Sequence, residues 1–532
     1  MDRGFDYYDE GLILVGAMRV AAGQVPHREF YANYGPGQFY TLAWLFHLFG
    51  SSVFVERIYD LTLRSAIVTA AYGITAAYCR RWIVVSTTIV CAFWLFSAGL
   101  PTIAYPIIPI ILIALLSSVS LLPIFRGDLR KWQALFAGGM TGLTALFRYD
   151  IGFALALVHL CCILIAAQLR KRNAITGRTS IRSTLVLYSC GVAALFLPPA
   201  LLYLSVAPIQ PFVHDIIFYP AKYYVRSRRL PFPNLHWQSL ENLAVYLPVV
   251  VAILCVYTLA FTKEPSRDRL TATNAVVKNP DPRGFLILFG LLGTAFYFKG
   301  IVRISVPQML LSIVPTVVTL AVLYDFTAHK QRSLHCVVQW TMALSIFAAT
   351  WSALKEVRVL YLSHESVLQE VLSPPGPESI KMETDWCGVR NRLHTRLCFL
   401  VDPAHALAIS YLSAHTDPSE RIFVGLSRHD RIVSNDLLTY FVSDRLPATR
   451  WAHFDPDLQT RADIQTEMIQ ELDRQAVRYI VLESQYDASV EAWNGSSKSS
   501  GVTLLDDSIR RNYRQVKTFG AISVWLRKGA QP

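Results

Sequence analysis

The chain has 532 residues, 53% of them hydrophobic and only 17% charged, with a formal net charge of +12. Such values describe a membrane protein, and the long apolar runs all lie before residue 355. The positive charge does not indicate nucleic acid as a partner, because many of the basic residues form short clusters between apolar runs, the pattern that orients membrane segments.

Met1 to Glu10 is polar and acidic and has no apolar signal region. Tyr8-Asp9-Glu10-Gly11 opens a helix-like run that ends at Gly23, and a polar, aromatic, turn-rich loop follows from Val25 to Gly37. An acidic pair just ahead of a series of membrane spans stands where a carboxylate would serve at the water–lipid boundary. Gln38 to Phe49 is apolar and aromatic but too short to cross, so it reads as a juxtamembrane helix.

A span needs roughly 17–25 apolar residues. About ten segments qualify, near 53–79, 83–100, 103–122, 132–147, 151–168, 183–206, 242–261, 284–300, 305–325 and 335–353. Every second loop between them is basic: Arg80-Arg81, Arg126 to Lys131, Arg170 to Arg182, Lys263 to Arg283 and His329 to Arg332. The positive-inside rule assigns these loops to the cytoplasm. Residues 1–52, 148–150, 207–241, 299–304 and everything after 354 then face outward. That parity leaves the N-terminus outside with nothing to carry it there, so one more helix upstream of Met1 is expected.

The expected class is a polytopic α-helical membrane protein with a C-terminal soluble α/β domain. Residues 1–52 form an external first loop with juxtamembrane helices, 53–354 the membrane bundle and 355–532 the external domain. In that last part Arg421 to Leu426, Arg478 to Glu483 and Ile522 to Arg527 read as short buried strands, and Ala462 to Ala476 has helical spacing. Seven of nine cysteines lie in the membrane portion without metal-ligand spacing, whereas Cys387 and Cys398 could form a disulfide in an oxidising compartment. Asn494-Gly495-Ser496 matches a short glycosylation acceptor.

Through this topology the unusual polar residues converge on the outer face. Asp9 and Glu10 are there, as is Arg148-Tyr149-Asp150 at a junction of two spans. The loop 207–241 carries Lys222, Arg226, Arg228 and Arg229 against the charge rule, and binding an anion would explain the violation. Lys299 and Arg303 add two more outer cations. Each feature also has a structural explanation. Asp9 and Glu10 suit the first turn of a helix, Arg148 and Asp150 can pair with each other, and the arginine cluster can meet anionic lipid headgroups. Arg57, Asp60 and Arg64 share one helix face and read as a buried ion-pair set. His27 and His214 have no partner at ligand spacing, and Arg428-His429-Asp430 reads as a loop.

DEGLILVGAMRVAAGQVPHREFYANYGPGQFY resembles the first external loop of bacterial members of the GT-C superfamily of membrane glycosyltransferases, and FGSSVFVERIYDL resembles the start of the span that follows it. That superfamily includes protein O-mannosyltransferases and lipid A aminoarabinose transferases. The likeness is good over residues 6–65, looser to 150 and weak beyond. It implies a polyprenyl-phosphate-linked sugar donor, a lipid, polysaccharide or protein acceptor, and inverting transfer on the outer face of a bacterial inner membrane. Asp9 matches the catalytic aspartate of the first loop, with Glu10 beside it, and Asp150 matches a second external acid. Lys222, Arg226, Arg228, Arg229, Lys299 and Arg303 would bind the donor phosphate, while Arg148 and Tyr34 would contact substrate. No cofactor is certain, although some relatives bind a divalent cation. Two departures stand out. The first transmembrane helix of the superfamily is absent, and Tyr34-Gly-Pro-Gly replaces a Lys-Pro-Pro motif. A lipid-sugar flippase or transporter, and a non-catalytic envelope assembly protein that binds glycan, are the alternative functions. Asp9 and Asp150 on one cavity would favour the enzyme, and their separation onto opposite sides of the bundle would count against it.

Overall fold

The computed structural model describes residues 6–97, 103–175, 177–262, 282–328, 332–372, 403–485, 487 and 495–531, with backbone alone at 237–238 and 359–372. Cys387, Cys398 and Asn494 lie outside the described residues.

The first helix, α1 (Asp9–Ala21), starts because the Asp6 carboxylate accepts the backbone N–H groups of Tyr8 (3.1 Å) and Asp9 (2.7 Å). That is the role of a capping residue at a helix start. Asp9 and Glu10 sit in the positive first turn and Arg19 in the last. Every residue from Glu10 to Arg19 is buried, so α1 is an internal helix although it lies outside the expected spans. By contrast, α2 (Gly37–Phe49) is two-faced. Phe39, Leu42 and Phe46 are buried while Tyr40, Trp44, Leu48 and Phe49 are exposed, as suits a helix lying along a membrane surface.

The ten expected spans coincide with ten helices. They are α3 (Val53–Ala76), α4 (Arg81–Ser97), α5 (Ile107–Leu121), α6 (Lys131–Phe147), α7 (Tyr149–Arg172) and α8 (Ile181–Val206) before the third outer loop. After it come α11 (Leu243–Phe261), α12 (Pro282–Gly300), α13 (Val306–Thr327) and α14 (Arg332–Leu372). Two short helices, α9 (Ile209–Val213) and α10 (Val225–Arg228), belong to that outer loop. Among the described residues seven helices are both long and apolar enough to cross a membrane. The other three of the ten have identifiable reasons for falling short. α3 carries Glu56, Arg57, Asp60 and Arg64 on its buried face, while α4 and α6 are each 17 residues long. The charged groups of α3 find partners inside the protein: Arg64 donates to Asp60 at 2.7 Å and to the Leu95 carbonyl, and the Ala104 N–H donates to Glu56.

α13 is the most enclosed of the bundle helices and α8 the most exposed, so α8 presents Leu195, Leu197, Leu201 and Leu202 outward. What holds α8 to α6 is glycine. A Cβ on Gly138 would lie 1.9 Å from the Tyr188 carbonyl oxygen, and one on Gly191 would lie 2.1 Å from that of Leu135. Small residues allow this close backbone approach, a common device between helices in membranes. At one end of the bundle the expected cytoplasmic loops meet, with Arg80 paired to Asp325 at 2.7 Å and the Arg178 N–H donating to the Gly127 carbonyl.

Among its described residues the C-terminal domain holds four strands, β1 (Phe423–Leu426), β2 (Tyr479–Glu483), β3 (Tyr513–Phe519) and β4 (Ile522–Arg527), in the order β1-β2-β4-β3. β1 and β2 are parallel, and the other pairs are antiparallel. α17 (Ala462–Arg474) and α18 (Leu504–Asn512) cover one face through Ile464, Met468, Leu472, Leu505 and Ile509. The opposite face packs on α15 (Pro403–His415), α16 (Leu438–Val442) and, unexpectedly, α1 and α2 of the first loop. One apolar core therefore joins residues 12–53 to residues 406–526. α14 runs unbroken through the expected boundary at 354–355.

Gly138→Ala is expected to destabilise the bundle by about 1–3 kcal/mol, because the rigid Tyr188 carbonyl must move. Gly139→Ala, which meets only the flexible tip of Leu195 at 3.1 Å, should cost much less. Thermal unfolding of both variants in the same detergent checks the difference.

Candidate active site

A cleft of about 390 Å³ opens between the membrane portion and the C-terminal domain. Asp6, Tyr7, Tyr8 and Asp9 line one side, Arg228 and Arg303 come from two other outer segments, and Val433 to Asp436, Glu483 and Gln485 close it from the sheet domain. Three of the residues singled out from sequence, Asp9, Arg228 and Arg303, thus share one cavity.

Asp9 is placed by the capped first turn of α1. Burial raises its carboxyl pKa above the ordinary range, and the neighbouring Asp6 raises it further. A hydrogen bond from Tyr105 and the charges of Arg303 and Arg228 pull the other way. No hydrogen bond or ion pair of Arg303 occurs among the described residues, so its charge is available to a ligand. Arg228 is buried. Its guanidinium lies 3.4 Å from each of three oxygens, on Asp455, the Tyr8 hydroxyl and the Val433 carbonyl, and its Nε is without a partner among the described residues. Long contacts and a spare donor leave this arginine capacity for an anion.

Asp455 anchors this corner. It also accepts the Tyr31 hydroxyl at 2.9 Å, while the Tyr8 hydroxyl donates to the Phe454 carbonyl at 3.0 Å and meets His453 at 2.9 Å. Burial pushes the Tyr8 phenol well above its usual value, so it stays neutral. Burial likewise pulls His453 below its usual value.

The remaining expected site residues divide into two groups. Asp150 accepts a two-point contact from Arg148 at 2.9 and 3.1 Å and is paired with Lys299 at 2.6 Å. Arg148 also stacks over the Tyr34 ring at 5.4 Å. Asp150 is not among the residues lining the cleft. Tyr34 bridges the two regions, because its phenol is within electrostatic reach of both Asp9 and Arg148. The Gly35-Pro36-Gly37 turn makes this possible by seating directly on the end of α6. A Cβ on Gly35 would come within 2.7 Å of the Leu146 and Phe147 carbonyl oxygens.

The second group stands away from the cleft. Lys222, Arg226 and Arg229 are exposed on the outer loop, with Lys222 over the Tyr223 ring at 5.1 Å. α10 buries Ser227 and Arg228 and leaves Arg226 and Arg229 exposed. Glu10, one helix position past Asp9, faces the opposite way and receives a two-point contact from Arg57 at 2.7 and 2.9 Å in the interior. Arg57 thus pairs with Glu10 rather than with Asp60. Asp6, Tyr8, Tyr105, Asp436, Asp455 and Glu483 were not singled out from sequence. Of these only Asp6 carries a local signal, its spacing ahead of the Asp9 turn. Among the described residues no three His, Cys, Asp or Glu side chains gather to hold a metal ion.

No family model matches the sequence, and neither does any curated relative. Solved structures do match. ArnT from Cupriavidus metallidurans bound to undecaprenyl phosphate is similar with a TM-score of 0.53 at 12% identity, covering 100% of this chain and 95% of that one. The same protein in the apo state gives 0.52 at 12% identity, covering 98% and 94%. The chain therefore has a GT-C-like fold, a helical membrane bundle with a small C-terminal sheet domain, and is a multi-pass membrane protein.

Removing one partner of the Glu10–Arg57 pair leaves a buried charge, so Glu10→Gln or Arg57→Met alone should destabilise by about 3–5 kcal/mol. The double variant should recover most of that loss. A double-mutant cycle on thermal or denaturant unfolding measures it.

Proposed function

We propose that this chain is a GT-C glycosyltransferase that moves a sugar from a polyprenyl-phosphate donor to an acceptor hydroxyl on the outer face of a bacterial inner membrane. The observation that supports this most is the cleft itself, where a carboxylate of raised pKa faces a free arginine and a buried, under-used one. The fold shared with a protein whose structure contains undecaprenyl phosphate agrees with that reading.

In the reaction, the acceptor oxygen attacks the anomeric carbon from the side opposite the phosphate and inverts it. The new C–O bond forms as the bond to the lipid phosphate breaks, and the electron pair leaves with the phosphate. Asp9 takes the acceptor proton, and a base with a pKa raised toward the working pH suits that transfer. Arg303 and Arg228 receive the negative charge that develops on the leaving phosphate. Asp150, Arg148 and Lys299 form a locked charge group that holds Tyr34 and the outer ends of α6 and α12 in register. Glu10 keeps α1, and with it Asp9, at a fixed depth. The donor sugar and the acceptor belong to the parts of the cleft contributed by the C-terminal domain.

Asp9→Asn, with insertion and folding intact, is expected to lower transfer from radiolabelled polyprenyl-phosphate sugars by roughly 10²–10⁴-fold. Transfer that survives the substitution would remove Asp9 from the mechanism.

The pH profile offers a second test with a defined sign. The base acts when deprotonated, so activity should rise with pH through the Asp9 pKa. Asp6 raises that pKa, so Asp6→Asn should move the acid limb to lower pH. Arg303 lowers it, and Arg303→Gln should move the limb to higher pH. Limbs that do not move, or that move the other way, would contradict the assignment.

A further inference from the structure

A second cavity, a groove of about 290 Å³, opens on the opposite face of the same sheet end. Along a strand successive side chains point to opposite faces. Leu482 and Ser484 line the groove, whereas Glu483 and Gln485 line the cleft. The C-terminal end of β2 is therefore a wall common to both cavities. Ser427, at the end of the parallel neighbour β1, also lines the groove, and the ends of such strands are where ligands bind in open α/β sheets.

We propose that this groove is a binding subsite for a neutral sugar unit of the acceptor, held just behind the transfer cleft. The proposal rests on the reading of the cleft as the transfer site. Its lining is rich in neutral hydrogen-bonding groups: Ser427, Ser484 and Ser523 donate to Asp487 and to the Ala521 and Leu482 carbonyls and keep acceptor capacity, while Thr518 and the Gln515 amide carry further donors and acceptors. Sugar hydroxyls need such partners. Trp525 offers a flat aromatic surface for the apolar face of a ring, and it is fixed by donation from its Nε1 to Ser523 Oγ at 2.9 Å. Gln515 is pre-set by donating to Thr518 Oγ1 at 2.6 Å.

Charge argues against an ionic ligand. The Asp506 carboxylate is occupied by His429, at 2.6 Å from the ring and 3.0 Å from its backbone N–H. Arg510 is paired with Asp507 at 3.4 Å. Asp506 is thus already engaged, and Arg510, exposed at the rim, is among the described residues the one cation lining the groove, with no second cation beside it to hold a phosphate. The volume sits at the low end of small-ligand pockets and suits one sugar ring rather than a nucleotide.

The test uses the full chain in nanodiscs and saturation-transfer NMR with methyl glucopyranoside, galactopyranoside and mannopyranoside as probes. At least one pyranoside should receive saturation from the wild type. Binding should weaken by about tenfold in Gln515→Leu/Thr518→Val, which removes two hydrogen-bonding groups from exposed positions of β3. Thermal unfolding of the variant confirms that it folds, and Gln515→Ala carries the same comparison should the double variant not fold. Arg303→Gln should bind the pyranoside as the wild type does, which separates failure of the groove from failure of the cleft. No saturation of any pyranoside, or an unchanged signal in the β3 variants, would overturn the proposal.

Discussion

The position of α1 decides the layout of the cleft, and the buried contact between Glu10 and Arg57 sets that position. It ties the first turn of α1 to the start of α3. At the other end Arg19 donates to the Thr449 and Glu29 carbonyls at 3.0 and 2.8 Å, and its burial lowers its pKa to about 9. Between these ends Gly11 leaves room for the backbone of Leu438, so the C-terminal domain rests directly on the helix. A short helix outside the membrane portion is thereby as fixed as a core helix. Asp9 inherits that rigidity, as its proposed role of a base acting on a single hydroxyl requires.

The outer charges divide into those already satisfied and those left over. Asp150 with Arg148 and Lys299, Asp215 with His27 and Arg450, and Asp455 with Tyr31 all join distant parts of the chain. The His27 backbone is held at a φ of 63°, a conformation such a residue adopts only when its surroundings impose it. Against this background Arg303 stands out, together with the spare donor of Arg228. Burial of Arg228 with only long contacts carries a desolvation cost.

Much of the fold could be read from the sequence because hydrophobic runs and basic loops are strong signals. All ten expected spans are helices, and the three strands and the helix expected in the C-terminal domain are present. The fourth strand, β3, escaped because Tyr513–Phe519 is an edge strand with mostly exposed polar residues, which carries no burial pattern. The site was legible in part. Charge that breaks the inside rule pointed to the outer loop, but neighbouring arginines look alike in a sequence. Only the turn at Ser227–Arg228 determines that Arg228 is buried while Arg226 and Arg229 remain in solvent. Glu10 and Asp9 are likewise adjacent in sequence yet project about 100° apart on a helix, one inward to Arg57 and one to the cleft. The contribution of residues 433–485 could not have been foreseen, since it depends on contacts across more than half the chain.

The most direct test of the account is the affinity of undecaprenyl phosphate for the chain, compared between Arg303→Gln and Arg229→Gln by native mass spectrometry. Loss of one charge-assisted contact costs about 1.5–3 kcal/mol. The account predicts that Arg303→Gln weakens binding by roughly tenfold to a hundredfold while Arg229→Gln, exposed and outside the cleft, leaves it unchanged. Equal affinity in Arg303→Gln and the wild type, or a loss confined to Arg229→Gln, would contradict it.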